Sequence, residues 1–329
     1  MRKFLKLTCA TVISALATSP ALADGHAQSW DMPMAYSATN FHSEQGVMFA
    51  DKVREYTKGA IDITVHPGGS LFGGGDIKRA IQTGQVPIGE RFMSAHVNEA
   101  PLLGWDNLPF IATTYEDNAR LWDAAKDTVN AQLAELNLVA LYTCPWPGQG
   151  FYFNKEVNSS ADTQGIKFRS YNTATATFAD ALGMIPVQIE AAELSQALAT
   201  GVASAFISSG STGYDRKVWE HLSHYYKVNA WLPRNYVMVN MQVWNDLDGA
   251  VKDGIQKAAD ETAVACGAKS AELANFYFDE LAENGMTVKD AGSEFLAELE
   301  AIGAKMTSEW LNTAGSEGQA ILDAYNAKK

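Results

Sequence analysis

The sequence contains few of the residues that most catalytic and metal sites need. It has only 3 cysteines and 6 histidines among 329 residues. No Gly-x-Ser-x-Gly motif presents a nucleophilic serine, and the glycine-rich segment 68–76 lacks the Gly-Lys-Ser/Thr ending of a phosphate loop, which favours a simple turn. His221 and His224 have no further ligands at metal spacing. We therefore expect a protein that is not an enzyme and that holds no cofactor and no metal ion.

Positive charge is scarce as well. Lysine and arginine number 25 against 38 aspartates and glutamates, and the formal net charge is −13. Three of the basic residues lie at the extreme N-terminus, and their removal from −13 leaves −16. Such an acidic chain is a poor partner for nucleic acid or anionic lipid surfaces. A small anionic ligand remains compatible with it, because a buried site responds to local charges.

Only the N-terminus has the pattern of a targeting segment. Arg2, Lys3 and Lys6 precede the apolar run 7–17, and Ala21-Leu22-Ala23 provides a small-x-small cleavage site. This pattern predicts a secretory signal peptide over residues 1–23, a mature chain that begins near Asp24, and export to the periplasm. After that segment no apolar run reaches the roughly 18 residues that a membrane-spanning helix needs.

Two cysteines, Cys144 and Cys266, remain after cleavage. An exported chain can oxidise such a pair. However, Cys144 falls in a predicted loop before Pro145, and Cys266 falls inside a predicted long helix. We therefore expect no disulfide between them.

The mature chain of about 306 residues is long enough for two lobes of ordinary size. It opens with a predicted strand over Trp30–Ser37, a helix over Phe41–Thr57 capped by Asn40, and a strand over Ala60–Val65. Helical spacing of apolar residues then predicts a helix over residues 115–136, followed by a strand over Leu138–Tyr142.

Residues 163–209 read as a strand-helix-strand-helix-strand run. Gly183 and Gly201 end the two helices, as glycine often does. Runs of this kind build parallel sheets whose strand ends open onto a ligand crevice. The predicted strands are Ile166–Arg169, Met184–Ile189 and Val202–Ile207, and the predicted helices are Thr173–Leu182 and Ala192–Thr200.

Arg169 lies at one of these strand ends. Its guanidinium offers a bidentate fork that matches a carboxylate. Asn172 follows at a helix start, where free backbone N–H groups and the helix dipole favour an anion. The alternative from position alone is a structural salt bridge at the edge of a sheet.

Several segments resemble the solute-binding proteins of TRAP (tripartite ATP-independent periplasmic) transporters, the DctP-type family. They include G-I-K-F-R-S-Y-N at 165–172, a helix ending in A-L-G, and A-E-L-S-Q-A-L-A-T-G-V at 192–202. Earlier blocks at 49–72, 81–89 and 100–110 resemble the same family. The resemblance covers most of residues 30–285.

The resemblance implies an α/β, two-lobed periplasmic binding-protein fold with a ligand cleft between the lobes. Lobe I would contain residues 24–145 and part of 230–329, and lobe II residues 146–229 and part of 230–285. A periodic apolar stripe predicts a long helix over Asp246–Asn284, which the family would place across both lobes. Further helices are predicted over Ala291–Ile302 and Glu317–Ala327. The implied partners are a small organic anion, anchored by Arg169, and the TRAP membrane subunits.

The chain also departs from the family pattern. Gln149 stands where many dicarboxylate- and sialate-binding relatives carry a second basic residue, which favours a monocarboxylate. Ser208, followed by Ser209, replaces an asparagine that often touches the ligand. We expect aromatic side chains to form the walls of the cleft, with Phe41, Phe92, Trp146 and Tyr214 as candidates.

Two other classes remain open at this point. The binding protein of an ATP-driven importer has the same architecture but would lack the long helix across the lobes. A secreted hydrolase could use Cys144 or a serine as nucleophile, although no motif supplies a base.

Overall fold

Short segments rich in β-branched and aromatic residues form the strands of this protein. The computed structural model describes residues 27–328, so the predicted signal peptide lies outside the described residues. Within this range the strands are β1 (Gln28–Pro33), β2 (Ile61–His66), β3 (Ile88–Phe92), β4 (Leu138–Pro145), β5 (Gly150–Phe153), β6 (Lys167–Ser170), β7 (Ile185–Gln188), β8 (Ala205–Ser208), β9 (His224–Lys227), β10 (Arg234–Asn240) and β11 (Thr287–Asp290).

Helices connect and cover these strands. Asn40 caps the first of them as predicted, since its side-chain oxygen accepts a hydrogen bond from the His42 N–H at 2.9 Å. None of the helices within residues 27–328 is both long and apolar enough to span a bilayer. The α-helices of this range are α1 (Phe41–Tyr56), α2 (Gly74–Gln82), α3 (Tyr115–Glu135), α4 (Thr173–Ala181), α5 (Leu194–Ala199), α6 (Gly210–Asp215), α7 (Met241–Asp246), α8 (Gly249–Glu283) and α9 (Ser293–Asn326).

The first lobe, lobe I, contains two small sheets. Strand β10 pairs antiparallel with both β3 and β4, and β1 pairs parallel with β2. The alternating side chains Trp30 and Met32 of β1 point into a core that also contains Phe49 of α1 and Ile255 of α8. This core fixes the sheets against the helices that cover them.

The second lobe, lobe II, is built on one six-stranded sheet with the order β11-β9-β5-β8-β6-β7. Strand β6 pairs parallel with β7 and with β8, which confirms the parallel arrangement predicted for residues 163–209. Phe151, Phe168 and Phe178 pack with Phe295 of α9 in the core beneath this sheet. The parallel pairing places the carboxyl ends of β6, β7 and β8 at one edge.

Helix α8 runs behind both lobes. It has 35 residues, which corresponds to about 52 Å at helical rise. It contacts α1 and β4 in lobe I and α6 and β11 in lobe II, so the predicted long helix across the lobes is confirmed. The chain passes between the lobes after β4 and before β10. Strand β11 lies in the sheet of lobe II, beyond the residue 285 limit predicted for that lobe.

The two predicted C-terminal helices are both present. α9 consists of two helical segments separated by a break in the backbone at Gly315, which correspond to the helices predicted over Ala291–Ile302 and Glu317–Ala327. The first segment is longer than predicted because Met306 and Trp310 continue the apolar face, packing on the cores of lobe II and lobe I respectively.

The expectation for the cysteines is wrong. Cys144 and Cys266 form a disulfide, with Cα atoms 5.7 Å apart. The prediction failed because β4 extends through Pro145 instead of ending at Tyr142. Cys144 is therefore on a buried strand that α8 crosses, and Cys266 lies on the buried face of that helix. The disulfide ties the end of β4 to the helix that spans the lobes.

Candidate ligand-binding site

A small cavity lies between the two lobes at the carboxyl ends of β6 and β8. Lobe II supplies mostly polar side chains and lobe I mostly aromatic ones. The residues that line it are Tyr36, Arg91, Phe92, Trp146, Gln149, Arg169, Tyr171, Glu190, Ala191, Ser208, Thr212 and Pro233.

Arg169 of β6 is the central feature of this cavity. The residue is only 2% exposed, and its Nε donates a hydrogen bond to the Ile189 carbonyl at 2.9 Å. Its guanidinium carbon lies 5.2 Å from the centre of the Tyr171 ring. Burial lowers the pKa of Arg169 to about 10, which leaves it charged at neutral pH. Within residues 27–328 no carboxylate oxygen lies within 4.0 Å of its nitrogens, so its charge lacks an ion-pair partner.

Asn172 caps the start of α4 behind Arg169. Its side-chain oxygen accepts from the Thr175 N–H at 2.9 Å. Its amide nitrogen donates across the lobe boundary to Asn107 Oδ1 at 2.8 Å and to Ser94 Oγ at 3.1 Å. Asn172 therefore joins the two lobes and does not line the cavity itself.

Gln149 does line the cavity, in a fixed orientation. Its Oε1 accepts from the Tyr171 hydroxyl at 3.2 Å, and its Nε2 donates to the Pro147 carbonyl at 3.0 Å. The Trp231 indole N–H donates in turn to the Tyr171 hydroxyl at 3.1 Å. Burial raises the pKa of Tyr171, so this phenol stays protonated and keeps donating to Gln149.

Two hydroxyls form the part of the wall at the end of β8. Ser208 Oγ donates to Thr212 Oγ1 at 2.8 Å, and both residues line the cavity. Ser209 lies one layer behind, where its carbonyl accepts from the Tyr152 hydroxyl at 2.9 Å. Ser208 and Ser209 were expected from the sequence, whereas Thr212, in the helix α6 that follows β8, was not.

Trp146 forms an aromatic wall that is held on several sides. The His42 ring stacks on it at 4.0 Å between centroids, and its indole N–H donates to Asn235 Oδ1 at 2.9 Å. Phe41 packs edge-on against it at 5.4 Å and lies behind it, in one cluster with the disulfide. Phe92 lines the cavity directly, whereas Phe41 supports its wall.

Tyr214 does not line the cavity, contrary to our expectation. It packs against Phe276 and Tyr277 of α8, at 5.4 and 5.7 Å between ring centroids. Because Tyr214 is two residues beyond Thr212 on the same helix, it points to the opposite side of α6. A position near a turn did not reveal which helix face the side chain occupies.

An ion pair in the cavity wall was also not expected from the sequence. Arg91 of β3 donates to both carboxylate oxygens of Glu190, at 3.1 and 3.3 Å, and thereby joins lobe I to lobe II. The available signal was the pair Glu90-Arg91 inside the strand Ile88–Phe92, in which every residue is buried. Charged residues in such a strand need partners from elsewhere in the chain.

The disulfide also bears on the remaining chemical alternatives. Among residues 27–328, the group His42, Cys144 and Cys266 brings three potential metal-ligand atoms within 4.8 Å of one another. Both sulfurs are bonded to each other, so neither is a thiolate. Cys144 is therefore neither a metal ligand nor the nucleophile of a hydrolase.

A closed cleft between two lobes, with a buried arginine that lacks an acidic partner, defines the class: a receptor for a small anion. Residues 34–313 match the family described as bacterial extracellular solute-binding protein, family 7, DctP. The chain belongs to this family. Its function is therefore that of a TRAP-type solute receptor that binds a small organic acid and works with TRAP membrane subunits, and not that of an enzyme.

Relatives of known structure are close. The crystal structure of a TRAP solute-binding protein from an unidentified marine microbe, specific for pyroglutamate and containing co-purified pyroglutamate, shares 75% identity. The match covers 92% of this chain and 99% of the marine protein's chain, with a TM-score of 0.91. DctP6 of Bordetella pertussis, a receptor that binds pyroglutamic acid, shares 38% identity over 91% of this chain and 100% of its own, with a TM-score of 0.90.

A more distant relative has a different ligand. The C4-dicarboxylate-binding periplasmic protein DctP of Rhodobacter capsulatus shares 27% identity over 90% of this chain and 87% of its own. Membership of the family therefore does not identify the particular acid that this chain binds.

Proposed function

We propose that this receptor binds pyroglutamate, with Arg169 as the anchor of its carboxylate. The observation that carries the proposal is the buried charge of Arg169, which has no acidic partner within the described chain. A buried charge without a partner is costly, and a carboxylate is the natural complement of the guanidinium fork. The pyroglutamate receptors at 75% and 38% identity support this choice of acid.

The rest of the cavity suits the lactam ring of pyroglutamate. A lactam presents one N–H donor and one carbonyl acceptor. Glu190 has carboxylate lone pairs left over beside its two bonds to Arg91, and it accepts the lactam N–H. The Thr212 hydroxyl already accepts from Ser208, so its own proton is available for the lactam carbonyl. Phe92 and Trp146 enclose the apolar ring carbons.

The magnitudes require both kinds of contact. A charge-assisted hydrogen bond contributes about 1.5–3 kcal/mol net, whereas micromolar binding needs about 8 kcal/mol. Arg169 therefore orients the ligand, and the lactam contacts and aromatic walls supply the remainder. Gln149 contributes a neutral amide where a second cation would favour a diacid.

Calorimetric titration of the purified chain tests the proposal. We expect L-pyroglutamate to bind with micromolar affinity or better. L-proline, which has the same ring and carboxylate but no lactam carbonyl and a charged ring nitrogen, should bind at least 100-fold more weakly. Equal affinity for the two, or no binding of pyroglutamate, would overturn the assignment.

We further propose that the chain reaches the periplasm through a cleavable signal peptide, residues 1–23. The support is the basic, apolar and small-x-small pattern, together with the periplasmic DctP relative. Intact-mass analysis of protein from a periplasmic extract should show a chain that begins at Asp24. A mature chain that retains residues 1–23 would contradict it.

A further inference from the structure

We propose that Glu190 is a specificity-determining residue: by pairing with Arg91 it fixes the net charge of the cavity wall at +1, and the receptor thereby selects singly charged acids over diacids. This inference rests on the proposed carboxylate site at Arg169. It adds a rule for the charge of the ligand, carried by the residue that follows Ile189, whose carbonyl accepts from the anchor Arg169.

The charge count follows from the lining residues. Within the described part of the chain, the charged side chains that line the cavity are Arg91, Arg169 and Glu190. Arg91 and Glu190 neutralise each other through two hydrogen bonds. One positive charge, on Arg169, is left for the ligand. A monocarboxylate brings the closed cavity to neutrality, whereas a dicarboxylate leaves an uncompensated negative charge that faces Glu190.

Turning Arg91 toward a second carboxylate of the ligand would cost free energy, because other contacts hold its side chain in place. Its Nε donates to His96 Nε2 at 3.2 Å, and His96 Nδ1 lies 3.2 Å from Glu99 Oε1. Because the arginine can only donate, Nε2 must accept, so the imidazole is neutral and its proton is on Nδ1, facing Glu99. Glu99 also pairs with the buried Lys78. These contacts direct the guanidinium of Arg91 toward Glu190.

Close packing against Gly74 fixes the same ion pair from outside the cavity. A Cβ atom at Gly74 would lie 2.8 Å from Glu190 Oε2 and 2.9 Å from the Arg91 Nη1 atom. The backbone of α2 therefore covers the pair directly. Glu190 also accepts from the backbone at the start of its own helical turn in a capping box with Glu193. Both partners are thus constrained by groups outside the cavity.

The test is a titration of Glu190→Gln against two acids, L-pyroglutamate and glutarate, a diacid of similar length. Glu220→Gln is the matched control, because this substitution removes the same formal charge at an exposed position. Glu220 has no side-chain partner among the described contacts. In the wild type and the control we expect pyroglutamate to bind at least 100-fold more tightly than glutarate. In Glu190→Gln that preference should fall at least 10-fold, with glutarate binding more tightly than it does to the wild type.

Two results would overturn the inference. If Glu190→Gln weakens both acids by the same factor, the ion pair only holds the lobes together and does not select by charge. If the wild type itself binds glutarate as tightly as any monocarboxylate, the charge count is wrong. The wild type could instead prefer lactate or pyruvate to both test acids, while Glu190→Gln still loses the preference for the monoacid over glutarate. That result would exclude pyroglutamate as the ligand and support the charge rule.

Discussion

The two arginines of the cavity differ in whether the protein itself supplies a carboxylate partner. Arg91, on the lobe I side, finds its carboxylate within the protein, because Glu190 meets both of its terminal nitrogens. Arg169, on the lobe II side, is equally buried, yet it contacts only neutral groups, the Ile189 carbonyl and the Tyr171 ring, among the described ion pairs, hydrogen bonds and ring contacts. The difference indicates that Arg91 stabilises the fold and that Arg169 binds the ligand. Arg169 combines a buried charge that has no ion-pair partner among the described residues with a place in the cavity wall, and this combination marks the binding site.

The largest effect should follow from removal of the incomplete arginine. Arg169→Ala leaves the ligand carboxylate without its partner, so we expect affinity to fall by a factor on the order of 10³, about 4 kcal/mol. Calorimetric titration measures it. The unfolding free energy should not decrease, because the variant removes a buried charge that has no ion-pair partner.

The control for this comparison is Arg91→Ala, which should instead destabilise the closed structure, because it leaves Glu190 unpaired. If Arg169→Ala binds pyroglutamate as the wild type does, Arg169 is structural and the comparison between the two arginines fails.

The covalent support of the Trp146 wall ranks next. Replacing both Cys144 and Cys266 by serine should lower the free energy of unfolding by roughly 3 kcal/mol, because the disulfide closes a separation of 122 residues. Denaturant titration measures the loss. We expect a smaller loss of pyroglutamate affinity, since Trp146 keeps its stacking on His42 and its bond to Asn235. Unchanged stability in the double variant would show that the disulfide does not constrain this wall.

The stability of the protein should depend on pH through His96, which accepts a hydrogen bond from Arg91. Burial and the nearby charges of Arg91 and Lys78 lower the pKa of His96 to about 4, below the value near 6.5 that it has in the unfolded chain. Between these values the unfolded state binds the extra proton, so stability is lost as the pH falls from about 6.5 to 4, by roughly 3 kcal/mol.

His96→Gln checks this prediction, because glutamine offers an acceptor to Arg91 and a donor to Glu99 without titrating. Its unfolding free energy should fall less steeply than that of the wild type over the same pH range. Identical slopes would remove His96 as the source of the pH dependence.

The smallest effect should come from the polar support of the lobe II wall. Tyr171→Phe removes the hydroxyl that donates to Gln149 and accepts from Trp231. We expect an affinity loss of about 1 kcal/mol, close to fivefold, because Gln149 keeps its bond to Pro147 but loses one constraint. Calorimetric titration resolves this difference. A loss as large as that of Arg169→Ala would mean that Tyr171 contacts the ligand carboxylate directly.

Local patterns and the family resemblance together predicted several of the cavity residues that lie between positions 149 and 208. The strand-helix-strand run placed Arg169 at a strand end, and the resemblance to the family pointed to Gln149 and Ser208; all three line the cavity. What remained hidden was pairing between distant segments. Arg91 meets Glu190 across 99 positions, and Cys144 meets Cys266 across 122. Only the packing of the two lobes brings these residues together, so no local spacing could reveal them.

The most direct test of the central claim changes one group of the ligand. L-pyroglutamide carries the same lactam ring as L-pyroglutamate, but a neutral amide replaces its carboxylate. If the unpaired charge of Arg169 anchors the acid, calorimetric titration of the wild-type chain should show L-pyroglutamate binding at least 100-fold more tightly than L-pyroglutamide. Comparable affinity for the two would show that the buried arginine does not anchor the ligand and would contradict the account.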